Sequence, residues 1–228
     1  MPPSDRALRK WWPTTQSLDL VEGSGRKVAE AVRAEFTRIL QGENFDASWF
    51  QFGTFDAALG SALEFSNVPT HVLVLPTRSK WSVLWYNSFL CDGYDSLCSN
   101  LTTRHRLTTI HWSAHDEWTT FQSGARFIHR RHDGAKVIER IVQAAQQDKR
   151  WRFYTIGRPL KEESLEEYEA KRKRDRLNER SLLSLLNRLG AQPWSEEFYA
   201  LPEQECFVLR RPAAPSTIVR RSREEVLR

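Results

Sequence analysis

The spacing of apolar residues changes several times along the chain, and each change predicts an element. Residues 23–42 place Val28, Val32, Phe36, Ile39 and Leu40 three and four apart, the stripe of an amphipathic helix stopped by Gly42. A short strand is expected at 49–52, followed by an apolar helix towards residue 65. From residue 70 the period becomes two. THVLVLP (70–76) and KWSVLWYNS (80–88) read as strands joined by a turn at 76–79. In the second strand Trp81, Val83 and Trp85 share one face while Leu84 and Tyr86 share the other, which predicts a central strand covered on both sides.

Two more strands are expected at 104–114 and 124–131, the latter opened by Gly124. Residues 134–147 carry Val137, Ile138, Ile141, Val142 and Ala145 in a helical stripe behind Asp133, a natural N-cap. A strand at 150–157 follows. Ser164 and Glu167 form a capping-box pattern that opens a long helix reaching residue 190, and 205–211 read as a last strand. The sum is an α+β fold, a mainly antiparallel β-sheet with helices packed on it. It is expected as a single domain over 1–208 with a basic, flexible tail over 209–228.

Composition sharpens this picture in three places. Nine tryptophans among 228 residues raise the supply of large aromatic side chains for both core and contact surfaces. The net charge of +5 is concentrated near the end, where residues 209–228 hold six arginines against two glutamates. Cys91, Cys98 and Cys206 are odd in number and form no closed disulfide set. No segment approaches the roughly 20 apolar residues of a membrane span or the core of a signal peptide. A cytoplasmic protein with reduced thiols, without membrane association, is expected.

Candidate chemistry centres on LTTRHRLTTIHWSAHDEW (101–118). In an extended strand His105, His111 and His115 point the same way, beside Thr109 and Ser113, while Ile110, Trp112 and Ala114 take the core side. A zinc ion needs ligands converging within about 2.0–2.3 Å of one point. Alternate strand residues lie roughly 6.6 Å apart. His129 and His132 differ in parity, so no metal or other cofactor is expected. A hydrolase or transferase centred on His111, His115 and Asp116 is one alternative, since a carboxylate beside an imidazole suits proton transfer. It lacks a nucleophile signature, and no phosphate-binding glycine loop occurs. Gly23, Ser24 and Gly25 read as helix capping.

The helix expected from Ser164 carries Lys171, Arg172, Lys173, Arg174 and Arg176 in its middle, with Glu162, Glu163, Glu166, Glu167 and Glu169 just upstream. With no apolar member at 171–176 this midsection is expected in solvent, joined to the fold by Leu182, Leu183, Leu185, Leu186 and Leu189. Together with Arg220 and Arg221 it forms a nucleic-acid-binding alternative. The loop NSFLCDGYDSLCSN (87–100) offers Phe89 and Tyr94 as anchors with Asp92 and Asp95, and sits beside the histidine face at His105, His111 and His115. Such an acidic, aromatic surface suits a cationic protein partner. The leading expectation is a non-enzymatic binding protein for another macromolecule, in concrete form a bacterial toxin-neutralising immunity or accessory inhibitor protein.

Overall fold

The alternating apolar residues at 71–86 form two adjacent strands near the middle of one large sheet. The computed structural model describes residues 11, 16–40, 45–61, 64–89, 95–115, 124–201, 203–211 and 218–226. In chain order the elements begin β1 (Ser17–Glu22), α1 (Gly25–Leu40), β2 (Asp46–Phe50), α2 (Phe55–Gly60), β3 (Phe65–Ser66), β4 (His71–Pro76) and β5 (Trp81–Tyr86). They continue with α3 (Asp95–His105), β6 (Thr109–His115), β7 (Gly124–His132), β8 (Val137–Gln147) and β9 (Arg150–Ile156). The last are α4 (Glu179–Arg188), β10 (Cys206–Arg210), β11 (Arg220–Arg221) and α5 (Arg223–Val226). Nine strands form one sheet in the order β2-β10-β4-β5-β1-β6-β7-β8-β9, antiparallel throughout, and β3 pairs with β11 separately. The chain is therefore mostly antiparallel sheet with helices packed on it. No described helix is long and apolar enough to cross a membrane.

Period-two alternation divides the sheet into two faces. The tryptophan face buries Leu18, Trp81, Trp85, Trp112, Phe127 and Val142 against Leu182 and Leu186 of α4. The histidine face buries Val21, Val74 and Leu84 against Val28 and Val32 of α1 and Leu97 and Leu101 of α3. Every residue of β5 is buried, as expected of a central strand apolar on both sides. Gly124 is required where β7 closes on β8. A Cβ there would press on the Ala144 carbonyl oxygen and lie 2.7 Å from the Ala145 Cα.

Three expected elements take another form. Residues 137–147 are not a helix but the strand β8, between two tight hairpins. At the first, Asp133 caps a turn rather than a helix: its Oδ1 accepts from the amides of Ala135 and Lys136 at 3.0 and 2.8 Å. At the second, Asp148 and Lys149 both hold positive φ, +49° and +61°, the geometry of a two-residue hairpin turn. The β-branched residues of this segment suit either state locally, and pairing with β7 and β9 on both sides decides for the strand.

The long helix from Ser164 is also absent. Ser164 makes no side-chain cap, and the chain runs as single 3₁₀ turns at Leu165–Glu169 and Lys173–Asp175 before α4. The capping box belongs to α4, where Asn178 and Ser181 bond each other's backbone amides. Ion pairs at i,i+4 spacing, as Glu167 with Lys171 or Glu169 with Lys173 would make in a helix, are each worth only about 0.2–0.5 kcal/mol, too little to hold a helix with no apolar stripe through 171–176. The third change is α3, a helix over residues whose sequence reads as loop and strand.

The basic C-terminal segment contributes described structure of its own. Arg220 and Arg221 pair with Ser66 and Phe65. Arg220 meets Glu64 at 3.1 Å, and the Arg221 guanidinium lies 4.9 Å from the Phe89 ring centre.

Candidate functional site

Helix α3 brings the histidine region together. Asp95, Cys98, Thr102 and His105 recur at spacings of three, four and three, which sets them on one side of the helix. Each meets a polar partner from the sheet or α1. Asp95 accepts from Arg130 Nη1 on β7 at 2.6 Å, and Arg130 Nε also donates to Glu139 on β8 at 2.6 Å. Thr102 Oγ1 and Thr109 Oγ1 are 3.0 Å apart. His105 Nε2 lies 3.0 Å from Glu35 Oε1, whose other oxygen accepts from Arg38. Burial raises the Glu35 carboxyl, but Arg38 and His105 outweigh it and hold the group below its ordinary value.

At the centre lies Asp19 of β1, fully buried. It sits directly across from His111 of β6 in the sheet register. His111 Nδ1 donates to Asp19 Oδ1 at 2.7 Å, and the Tyr86 hydroxyl donates to Oδ2 at 2.6 Å. The Cys98 thiol is pushed well above its ordinary value by burial first, then by the charge and hydrogen bond of Asp19. It therefore stays protonated and unreactive.

This arrangement corrects the expected histidine row. His105 ends a helix instead of continuing β6, so the three histidines do not share a strand face. The Thr109, His111 and Ser113 side is not a solvent face either, since all three are buried. Helix α3, which covers this side, is what the strand alternation alone could not reveal. His115 ends β6, and its side chain, like Asp92, Tyr94 and Asp116, lies outside the described residues. Phe89 packs partly buried against the core. Among the described residues no three His, Cys, Asp or Glu side chains form a group that could hold a metal ion.

Of the five glutamates upstream of the basic run, Glu163 turns inward. Its side chain is fully buried and bonds Arg140 of β8 through both oxygens, with the Arg140 Nη2 contact at 2.7 Å. It also accepts from the Leu160 amide and the Tyr168 hydroxyl, each at 2.8 Å. Burial raises this carboxyl, and Arg140, the Leu160 amide and Tyr168 together outweigh that effect and keep it below its ordinary value. The connection leaving β9 is thereby tied to the tryptophan face. Its cations Lys171, Arg172, Lys173 and Arg174 are exposed, while Arg176 donates to the Ala170 carbonyl at 2.8 Å and lies over the Phe153 ring.

The histidine face ends differently. On β9, Arg150, Arg152, Tyr154 and Ile156 all point to this side and are all exposed, Tyr154 by 39% and Ile156 by 52%. Arg126 and Gln143 stand in the cross-strand row of Tyr154. This surface was missed in the sequence because both faces of RWRFYTI carry large side chains. The row became visible only with the pairing partners.

Two histidines supply a pH response. Burial, then Arg131 and Lys80, push the His129 imidazole down to about 4, with Glu22 and Glu162 opposing. Burial, then Arg210, push His71 to about 4 as well, with Glu64 opposing. A depressed histidine adds stability that is complete above its ordinary value of 6.5 and is lost as pH falls from there towards 4. Unfolding free energy should fall over this window. In His129→Gln the slope should flatten by one proton, about 1.4 kcal/mol per pH unit at most. Urea titrations between pH 4.5 and 7 would measure this, and equal slopes would contradict the assignment.

No family model matches the chain, and no curated protein or solved structure gives a significant match.

Proposed function

We propose that this protein is a non-enzymatic binding protein that recognises another macromolecule by surface contact. The observation that carries this reading is the open end of the sheet's histidine face, where Tyr154 and Ile156 stand exposed in line with Arg150 and Arg152. The competing acid–base reading meets a physical obstacle. His111 is only 4% exposed, and its Nδ1 is bound to Asp19, so this imidazole is sealed from a substrate in solution.

Toxin neutralisation by an immunity protein is one form of contact-only action. Of the residues expected to carry it, Phe89 and Asp95 are engaged internally, the first against the core and the second with Arg130. The β9 surface is therefore the better-supported place for contact.

The test is capture from a lysate of the source cell by tagged wild type and by a Tyr154→Glu/Ile156→Glu variant with unchanged circular dichroism. A macromolecule held by wild type and lost by the variant is expected. Identical retention by the two proteins, or none by either, would overturn the reading.

A further inference from the structure

We propose, building on the contact surface above, that the macromolecule bound at β9 is single-stranded nucleic acid. Three observations converge at this edge of the sheet. First, Arg150 and Arg152 project from the same side of β9, roughly 6.8 Å apart along the strand, and Arg126 stands two strands inward. Second, the turn Lys173–Asp175 lies against β8 and β9 from the tryptophan face, so that exposed Lys171, Arg172, Lys173 and Arg174 flank the same edge from the other side of the sheet. Among the described residues Arg150, Arg152, Lys171, Arg172 and Lys173 enter no ion pair, and Arg174 meets only its neighbour Asp175 at 3.7 Å. Third, Tyr154 is exposed beside Arg152 on the histidine face and in the cross-strand row of Arg126, with its hydroxyl donating to Gln143, so its ring is held in position on an open sheet face.

Cations along a backbone path beside a fixed aromatic ring match the requirements of an unpaired strand: phosphates to neutralise and bare base faces to stack. A duplex conceals its base faces and would leave Tyr154 unused. An acidic protein would use the charges without needing the ring. Arg220 and Arg221 do not belong to this surface. They attach through β3 at the end of β5, five strand positions from β9, about 24 Å at the usual strand spacing. They are also occupied by Glu64 and Phe89.

Fluorescence anisotropy with a labelled 20-nucleotide single strand, as DNA and as RNA, tests this directly. A duplex of equal length and polyglutamate serve as competitors. Single-strand binding is expected, with the duplex and polyglutamate competing at least tenfold less well. Arg150→Glu/Arg152→Glu should weaken binding at least tenfold, and loss of two phosphate contacts should lower the log–log salt slope by about 1.4. Tyr154→Leu should weaken it about tenfold, Tyr154→Phe should restore it, and Arg33→Glu on the exposed side of α1 should leave it within twofold. Absence of binding at low salt, indifference to the arginine pair, or equal competition by polyglutamate would overturn the inference. Those results, combined with face-dependent capture of a protein from lysate, would leave the binding-protein reading standing; loss of face-dependent capture as well would remove both.

Discussion

Replacing Glu163 by alanine is expected to destabilise the fold by about 3–5 kcal/mol, the cost of leaving a buried charge without its partner. Arg140 is 4% exposed and Glu163 not at all, so water cannot take over the missing contact. The loss also removes the acceptor for the Leu160 amide and the Tyr168 hydroxyl. Arg140→Met/Glu163→Met should recover much of the stability, because removing both charges removes the desolvation penalty with them. Urea denaturation of the two single variants and the double would measure the coupling. A loss in Glu163→Ala below about 1 kcal/mol, typical of an exposed pair, would show that the connection is not anchored there. This contribution also has a pH sign. The Glu163 carboxyl is held below its ordinary value of 4.5, so its stabilisation is present above that pH and is lost as pH falls through the folded value. The anchor matters for binding as well, since it fixes the segment that carries Lys171–Arg174 beside β9.

Asp19→Ala is the second large effect. The carboxylate accepts from His111 and Tyr86 in a site closed to water. Its removal strands two buried donors at about 1–3 kcal/mol each, for a loss of about 2–6 kcal/mol. Tyr86→Phe removes one donor together with its need for an acceptor and should cost about 1 kcal/mol. Asp19→Asn keeps a carbonyl oxygen and should fall between the two. Chemical denaturation gives these values, and a nearly neutral Asp19→Ala would mean that the network does not fasten β1, β5 and β6 to one another. The same experiment separates structure from function. Tyr86→Phe should leave binding at β9 within twofold, because this network lies inside the sheet and β9 at its edge.

The extent to which these features were legible varied with how local their cause is. The strands of residues 71–76 and 81–86 follow from alternation, and α1 follows from a single three-and-four stripe closing on a buried face. Helix α3 was hidden because part of its helical period is written in polar residues, Asp95, Cys98, Thr102 and His105, which reads as a loop until their partners are known. Strand β8 was hidden for a different reason. Val137, Ile138, Ile141 and Val142 satisfy a helical stripe and a two-sided strand equally well. The Asp133–Gly134 turn was the available clue, since that dipeptide is a frequent hairpin signal. Of the candidate site, the cations at 171–174 and their exposure were readable, while their placement against β9 and the turning in of Arg176 were not.

By itself the sequence determined where apolar surface must be buried, that much of the chain would alternate as antiparallel strands, and which residues bear charge. Contacts across the fold were needed to seal His111 beneath α3, to make Glu163 an internal anchor, and to set Lys171–Arg174 and the row of Arg150, Arg152 and Tyr154 on the two sides of one sheet edge. The reason is physical. Hydrophobic period is a property of neighbours a few residues apart, whereas strand order, burial of a polar pair and the meeting of two basic segments depend on contacts between residues far apart in the chain. Their energies exist only once the sheet has closed.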